Sequence, residues 1–258
     1  MRQANASAEQ IASTRLALEE VAEVFESYSG AVLIGGHVPL LLIPQDMEAH
    51  EGTIDIDMIL HPEKLSGDEV LTLHDQLLRR NFVQDTVKPF RFSKVIDHHT
   101  VILELLSGGT PPRDGLLQIE REDVFVSVIP GLEVAYDFHV SVQLSEAGRC
   151  TLNVASLPSF LAMKAVALDR RSNPKDAYDI VYCLRCFPGG LDAIVAEIEP
   201  AVDHPLVMAG IRLLGQLFMR HDSIGSVIYA SNEPDQEAAA LMRREAHARV
   251  NDLLDRLP

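Results

Sequence analysis

The chain has 258 residues, enough for one large or two modest domains with real cores. Hydrophobic residues make up 47% of it, which excludes a disordered chain, and no apolar run approaches the ~18–20 residues a membrane span needs. A net charge of −16 disfavours broad, sequence-independent binding to nucleic acid, which rests on neutralising phosphates. The first twenty residues lack the apolar centre of a signal peptide. Three cysteines form no disulfide framework, so a reducing cytoplasm is the expected location.

At the N-terminus, Ser7 and Gln10 have the spacing of a capping box that opens a helix over residues 8–28, ending near Gly30. A strand follows at 31–34 and stops at Gly35-Gly36. A short helix is expected at 37–43 and a second strand at 53–60, Thr-Ile-Asp-Ile-Asp-Met-Ile-Leu. Side chains two apart on a strand share a face, so Asp55 and Asp57 project together, away from Ile54, Ile56 and Met58. Two carboxylates on one face of a mostly buried strand repel each other and are costly to desolvate. A divalent cation relieves that repulsion, and Mg²⁺ favours carboxylates combined with substrate phosphates. Gly-Gly after a strand lets a phosphate approach backbone N–H groups. Each feature alone has an ordinary explanation, a surface edge or a simple turn.

Further along, a helix is expected at 67–80, strands at 89–94 and 100–106, a loop at 107–115, and short strands within 123–154. Glu104 is the only acid on the strand 100–106. From Ser156 the period becomes helical. Leu157 to Arg171 forms one helix with Pro158 in its first turn, and Asn173-Pro174 opens a second. Gly189-Gly190 is expected to end that second helix. Residues 191–258 are mainly helical, with a turn at 231–234. The expected organisation is therefore an α/β domain at 1–155 and a helical domain at 156–258. Lys164 sits among Leu161, Met163, Val166 and Leu168, where a snorkelling surface lysine is the ordinary explanation. Asp176 suits a helix N-terminus by its charge alone. Cys183 and Cys186 lack the further ligands of a zinc site and are taken as small core hydrophobes. The histidines, His98-His99 included, look scattered.

Two motifs carry a resemblance. The Gly35-Gly36 turn followed by the Asp55-x-Asp57 strand resembles the nucleotidyltransferase superfamily with the polymerase-beta-like fold. The stretch Leu157 to Ile180 is similar to the second signature of the AbiEii-type nucleotidyltransferase toxins of bacterial abortive infection and type IV toxin–antitoxin pairs. That signature runs approximately K-x-x-A-h-x-x-R and then R-D-x-x-D-h, where h is apolar. Lys164, Ala167, Leu168 and Arg171 fit the first part. Asp176 and Asp179 fit the second, with Lys175 where arginine is usual. Two other positions differ: His37 directly follows Gly-Gly where Ser or Thr is frequent nearby, and Glu51 stands where many members have Arg.

The resemblance implies an α+β fold, a polymerase-beta-like mixed sheet with helices followed by a C-terminal helical bundle. It implies Mg²⁺-dependent transfer of a nucleoside monophosphate from a nucleoside triphosphate to an acceptor hydroxyl. Asp55 and Asp57 would hold the metal, with Glu104 the candidate third carboxylate. Gly35 and Gly36 would cradle phosphate, Lys164 would neutralise triphosphate charge with Arg171 assisting, and Asp179 or Asp176 would act as base or orient the acceptor. The family's acceptors include tRNA ends, and its members are paired with an antitoxin protein. Two alternatives stay open. One is a small-molecule nucleotidyltransferase acting on an antibiotic hydroxyl, with which an acidic protein is compatible. The other is a non-catalytic interaction protein that retains the fold, in line with His37 and Glu51.

Overall fold

The change from strand to helical periodicity at residue 156 is reproduced in the computed structural model, which describes residues 7–45, 48–65, 71–144 and 150–257. By internal contacts the chain forms two units. One comprises Met1–Val38 with Glu51–Ala155, the other Pro39–His50 with Ser156–Pro258.

The first unit opens with α1 (Ala8–Phe25), whose Ser7–Gln10 capping box is formed in both directions. There follow β1 (Ala31–Ile34), the start of α2 (His37–Leu42), β2 (Asp55–Leu60), α3 (Leu73–Arg79), β3 (Val83–Gln84), β4 (Arg91–Ile96) and β5 (His99–Ser107). The unit ends with β6 (Leu116–Ile119), β7 (Val124–Val128), α4 (Val134–Asp137), β8 (His139–Gln143) and β9 (Thr151–Ala155). Among the described residues these strands make one mixed sheet, ordered β3-β4-β5-β2-β1-β9-β8, with β7 also on β5 and β6 on β7. β1 runs antiparallel to β2 and parallel to β9, while β2 runs parallel to β5. A strand with neighbours on both edges and cover on both faces must be apolar throughout. All four residues of β1 are buried accordingly. α1 lies against β4, β5 and β9 through Ala17, Leu18, Val21, Ala22 and Phe25. The β4–β5 hairpin turns on Asp97 and His98, both at positive φ as a two-residue hairpin of this kind requires. That accounts for His98 as a turn residue.

The second unit holds α5 (Leu157–Arg171), α6 (Pro174–Cys186), α7 (Gly190–Ile198), α8 (Pro205–Leu217), α9 (Ile224–Tyr229) and α10 (Gln236–Leu254). The bounds of α5 are those read from the sequence. Asn173 caps α6 through its side chain, accepting from the Lys175 N–H at 3.0 Å. α6 ends at Cys186, three residues before Gly189, which adopts φ +82° and starts α7 instead of closing α6. α5 packs on α8 at Gly210, where a Cβ would lie 2.4 Å from the Ala162 Cα.

Residues 39–50, expected within the first half, group with the helices. The cause is a set of specific contacts inside this unit. The Tyr182 hydroxyl donates to the Glu48 carbonyl at 2.8 Å, the Arg185 guanidinium pairs with the Glu48 carboxylate, and the His50 ring packs on Tyr178 and Tyr182. The helix expected at 67–80 is described only as α3, capped by Thr72, because residues 66–70 lie outside the described set. Two short strands, β3 and β6, had no clear alternation in sequence and form by pairing with longer neighbours. No helix of the described residues is long and apolar enough to cross a membrane.

Candidate active site

In the sheet unit, strand pairing brings the Gly-Gly turn to the paired aspartates. Ile34, the last residue of β1, is the ladder partner of Asp57. Gly35 follows at φ +77°, and a Cβ there would lie 2.2 Å from the Asp57 Oδ2. Gly36 is equally confined, since its Cβ would come 2.9 Å from the Thr53 Cβ. Asp55 and Asp57 are half-buried and share a face, while Ile56 and Met58 are fully buried on the other. Asp57 is opposite Glu104 on β5, and Arg91 on β4 is opposite Glu104 on its far side.

Glu104 is held by Arg91, whose Nε donates to Oε1 at 2.9 Å and whose Nη2 reaches the same oxygen. Asp55 has one oxygen, Oδ1, buried with no hydrogen-bond partner among the described residues. Burial raises its pKa, Glu104 adds to the rise, and Arg91 opposes it. Among the described residues no group of three or more His, Cys, Asp or Glu side chains is arranged to hold a metal ion. The pair Asp55 and Asp57 nonetheless suits a hard cation. It offers carboxylate oxygens, one of them unsatisfied, and Mg²⁺ in phosphate chemistry takes one or two carboxylates and completes its shell with phosphate and water.

Gly35→Ala tests this packing. A left-handed backbone costs a non-glycine residue about 1–3 kcal/mol, and here the new methyl also displaces the Asp57 carboxylate. We expect a measurable fall in melting temperature together with loss of metal-dependent nucleotide binding in calorimetry. Unchanged binding in a folded variant would mean that the turn does not set the Asp57 position.

In the helical unit, Lys164 is buried, not snorkelling. Its Nζ lies 3.0 Å from Asp176 Oδ1 and 2.6 Å from Asp179 Oδ2. Asp176 also accepts from Arg171, Nε to Oδ2 and Nη2 to Oδ1, both at 2.6 Å. Asp179 Oδ1 meets Lys175 Nζ and His50 Nε2, each at 2.9 Å. Both aspartates are fully buried. Burial alone would lower the Lys164 pKa, but the charges of Asp179 and Asp176 outweigh it and hold the ammonium above its ordinary value. Burial alone would raise Asp179, but Lys164, the His50 hydrogen bond and Lys175 hold it well below the usual carboxylate range. An acid so firmly ionised and so fully occupied is a poor general base. Its charge helps to keep Lys164 protonated. Three cations against two carboxylates leave the cluster with one positive charge in excess, inside a chain of net charge −16.

The structure thus brings Gly35, Gly36, Asp55, Asp57 and Glu104 together in one unit, and Lys164, Arg171, Asp176 and Asp179 in the other. Sequence reasoning missed two members. His50 has no local signal and was counted among scattered histidines. Lys175 was visible as the i, i+4 neighbour of Asp179 but was read only as a variant of the motif. Cys183 is buried within α6, as expected of a small core hydrophobe, whereas Cys186 is partly exposed with its thiol toward Glu48.

The family model described as nucleotidyl transferase AbiEii toxin, type IV TA system, matches residues 52–255. The chain belongs to that family. It is a nucleotidyltransferase of the AbiEii type, and Asp55, Asp57, Glu104, Lys164, Arg171, Asp176 and Asp179 all fall within the matched residues. Gly35, Gly36 and His50 precede them. A crystal structure of an antigenic nucleotidyltransferase-like protein from Paracoccidioides brasiliensis is similar at 13% identity, over 90% of this chain and 93% of that one, with a TM-score of 0.39. No curated protein matches.

Proposed function

We propose that this AbiEii-family enzyme transfers a nucleoside monophosphate from a nucleoside triphosphate to an acceptor hydroxyl in a Mg²⁺-dependent reaction. We further propose that it acts in the cytoplasm as the toxin of a pair, with tRNA as acceptor and an antitoxin protein as partner. The domain expected at 1–155, less residues 39–50, would serve as the nucleotidyltransferase domain, and that expected at 156–258, with 39–50 joined to it, as the helical domain. The observation that carries the reading is the packing of Gly35 on Asp57, because it makes the phosphate turn and the carboxylate pair one piece of structure.

In this reading Asp55 and Asp57 hold Mg²⁺, with Glu104, now paired to Arg91, the third candidate. When bound, the metal supplies charge neutralisation on the triphosphate and activation of the acceptor hydroxyl. Gly35 and Gly36 present backbone N–H groups to phosphate, with no side chain in the way. The resemblance to the family gives Lys164 the neutralising of triphosphate charge, with Arg171, more exposed, assisting. Asp176 and Asp179 keep the ammonium protonated and aimed.

The test is incubation of the full chain with each α-labelled nucleoside triphosphate and total tRNA, with Mg²⁺ or with EDTA. Label in tRNA only with Mg²⁺ is the expected result. The net charge of −16 favours cationic acceptors, so an aminoglycoside arm is run in parallel. Label there and not in tRNA would replace the acceptor; label in neither would remove the proposal.

Glu51, exposed two residues before Thr53, bears on the strength of nucleotide binding. Its negative charge opposes a triphosphate, and salt screens such an exposed charge. Glu51→Arg should tighten nucleotide binding at low salt, and less so at high salt. Equal dissociation constants at low salt would show that Glu51 does not face the nucleotide.

A further inference from the structure

We propose that His50 is a positioning residue for nucleotidyl transfer, holding the Asp179 carboxylate and, through it, the Lys164 ammonium. The inference rests on the function proposed above. It starts from how the two oxygens of Asp179 are divided. Oδ2 belongs to Lys164 at 2.6 Å, and Oδ1 is gripped by His50 Nε2 and Lys175 Nζ. The terminal torsion of an aspartate is broad, so one contact on one oxygen does not fix the carboxylate plane. A second contact on the other oxygen does.

The two partners of Oδ1 are not equivalent. Lys175 reaches it on a flexible stem that is partly exposed. His50 reaches it with a rigid ring whose side chain is fully buried. That ring meets Tyr182 edge-on at 4.8 Å and Tyr178 at 5.2 Å, and its backbone N–H donates to Gln45 Oε1 at 2.9 Å. The ring therefore has a fixed plane, and the carboxylate takes its orientation from it. Because Asp179 is ionised, the Nε2 of a neutral His50 is the protonated nitrogen and donates. The charged and titratable groups facing the ring are Asp179, Lys175, Lys164, Tyr178 and Tyr182. Burial lowers the His50 pKa despite the hydrogen bond to Asp179, with Lys175 and Lys164 acting in the same sense as burial. Protonation in acid, at Nδ1, would charge a ring whose Nε2 lies 3.4 Å from Lys175 Nζ and set the two partners of Oδ1 against each other.

The experiment uses the full chain as wild type, His50→Ala, His50→Gln and His50→Asn. Gln carries an amide donor at about the reach of Nε2 and does not titrate; Asn is too short. Transfer of labelled nucleotide to tRNA is followed for kcat and KM across the range around the histidine pKa. The ammonium resonance of Lys164, shielded by its two aspartates, is followed by nitrogen-15 NMR. His50→Ala and His50→Asn should lower kcat about tenfold or more with little change in KM, and the Lys164 resonance should broaden. His50→Gln should recover most of kcat, keep the resonance sharp, and lose the acid-side decline of the wild type. The proposal is overturned by a folded His50→Ala with kcat near wild type, or by a folded His50→Gln as impaired as Ala. Should wild type label neither tRNA nor the aminoglycoside, the proposed function fails by itself. The NMR comparison then decides His50 alone, and an unchanged Lys164 resonance in His50→Ala or His50→Asn overturns its role.

Discussion

Lys164→Met should abolish nucleotidyl transfer and destabilise the helical unit by about 3–5 kcal/mol, the usual cost of leaving a buried charge without its partner. Both effects have one origin. The ammonium is the shared partner of Asp176 and Asp179, both fully buried. Without it Asp176 keeps Arg171, while Asp179 keeps only Lys175 and His50 on one oxygen. The expected readouts are an earlier denaturant transition and no label on the acceptor. Adding Asp179→Asn to the Met variant should restore part of the stability and none of the transfer. A Met variant that unfolds with wild type would show that the ammonium is not held as described. The pH dependence follows the same charges. The folded pKa of Lys164 is raised, so its contribution is whole below about pH 10, its unfolded value, and is lost as pH rises through the folded one. Asp179 is depressed, so its contribution is whole above about pH 4 and is lost only as pH falls through a value well below that. Between these limits neither Lys164 nor Asp179 should change the stability, and the Met variant should lack the alkaline loss due to Lys164.

Asp55→Asn, Asp57→Asn and the double variant should separate binding from stability in the opposite way. Metal-dependent nucleotide affinity should fall by at least an order of magnitude, since the hard carboxylate donors are removed. Melting temperature should hold or rise, most for Asp55→Asn. Asp55 carries a buried oxygen without a hydrogen-bond partner among the described residues, and its charge is opposed first by burial and then by Glu104. An amide of the same shape relieves both. Asp57 is packed against Gly35, so its replacement should be closer to neutral for stability. A double variant that binds Mg-nucleotide at wild-type affinity would remove the pair from the site.

These contrasting expectations reflect how differently the two clusters were legible. The aspartate pair was readable because a strand has a period of two: Asp55 and Asp57 had to share a face whatever the tertiary fold. α5 was readable to its last residue, and α6 to its cap, because Pro158, Asn173 and Pro174 mark helix starts locally. The fate of Lys164 was not readable. A lysine in an apolar helix face either snorkels or meets carboxylates, and only the packing of α5 on α6 decides. His50 and Lys175 joined the cluster for the same reason. The grouping of residues 39–50 with the helices depends on Tyr182 and Arg185, more than a hundred residues away, and no local pattern announces such contacts.

The discontinuity of the helical unit has a consequence for the order of synthesis. Pro39–His50 leaves the ribosome before the sheet strands of Glu51–Ala155 and must wait about a hundred residues for the helices it joins. Until α6 has emerged, Asp179 and its grip by His50 do not exist, and a chain stopped early carries the Gly35 turn and both strand aspartates without Lys164. Nor does a cut at Ala155 liberate a complete helical unit, because the fragment from Ser156 lacks the His50 ring that packs on Tyr178 and Tyr182. A chain stopped before α6, or a fragment that begins at Ser156, therefore cannot assemble the complete cluster around Lys164.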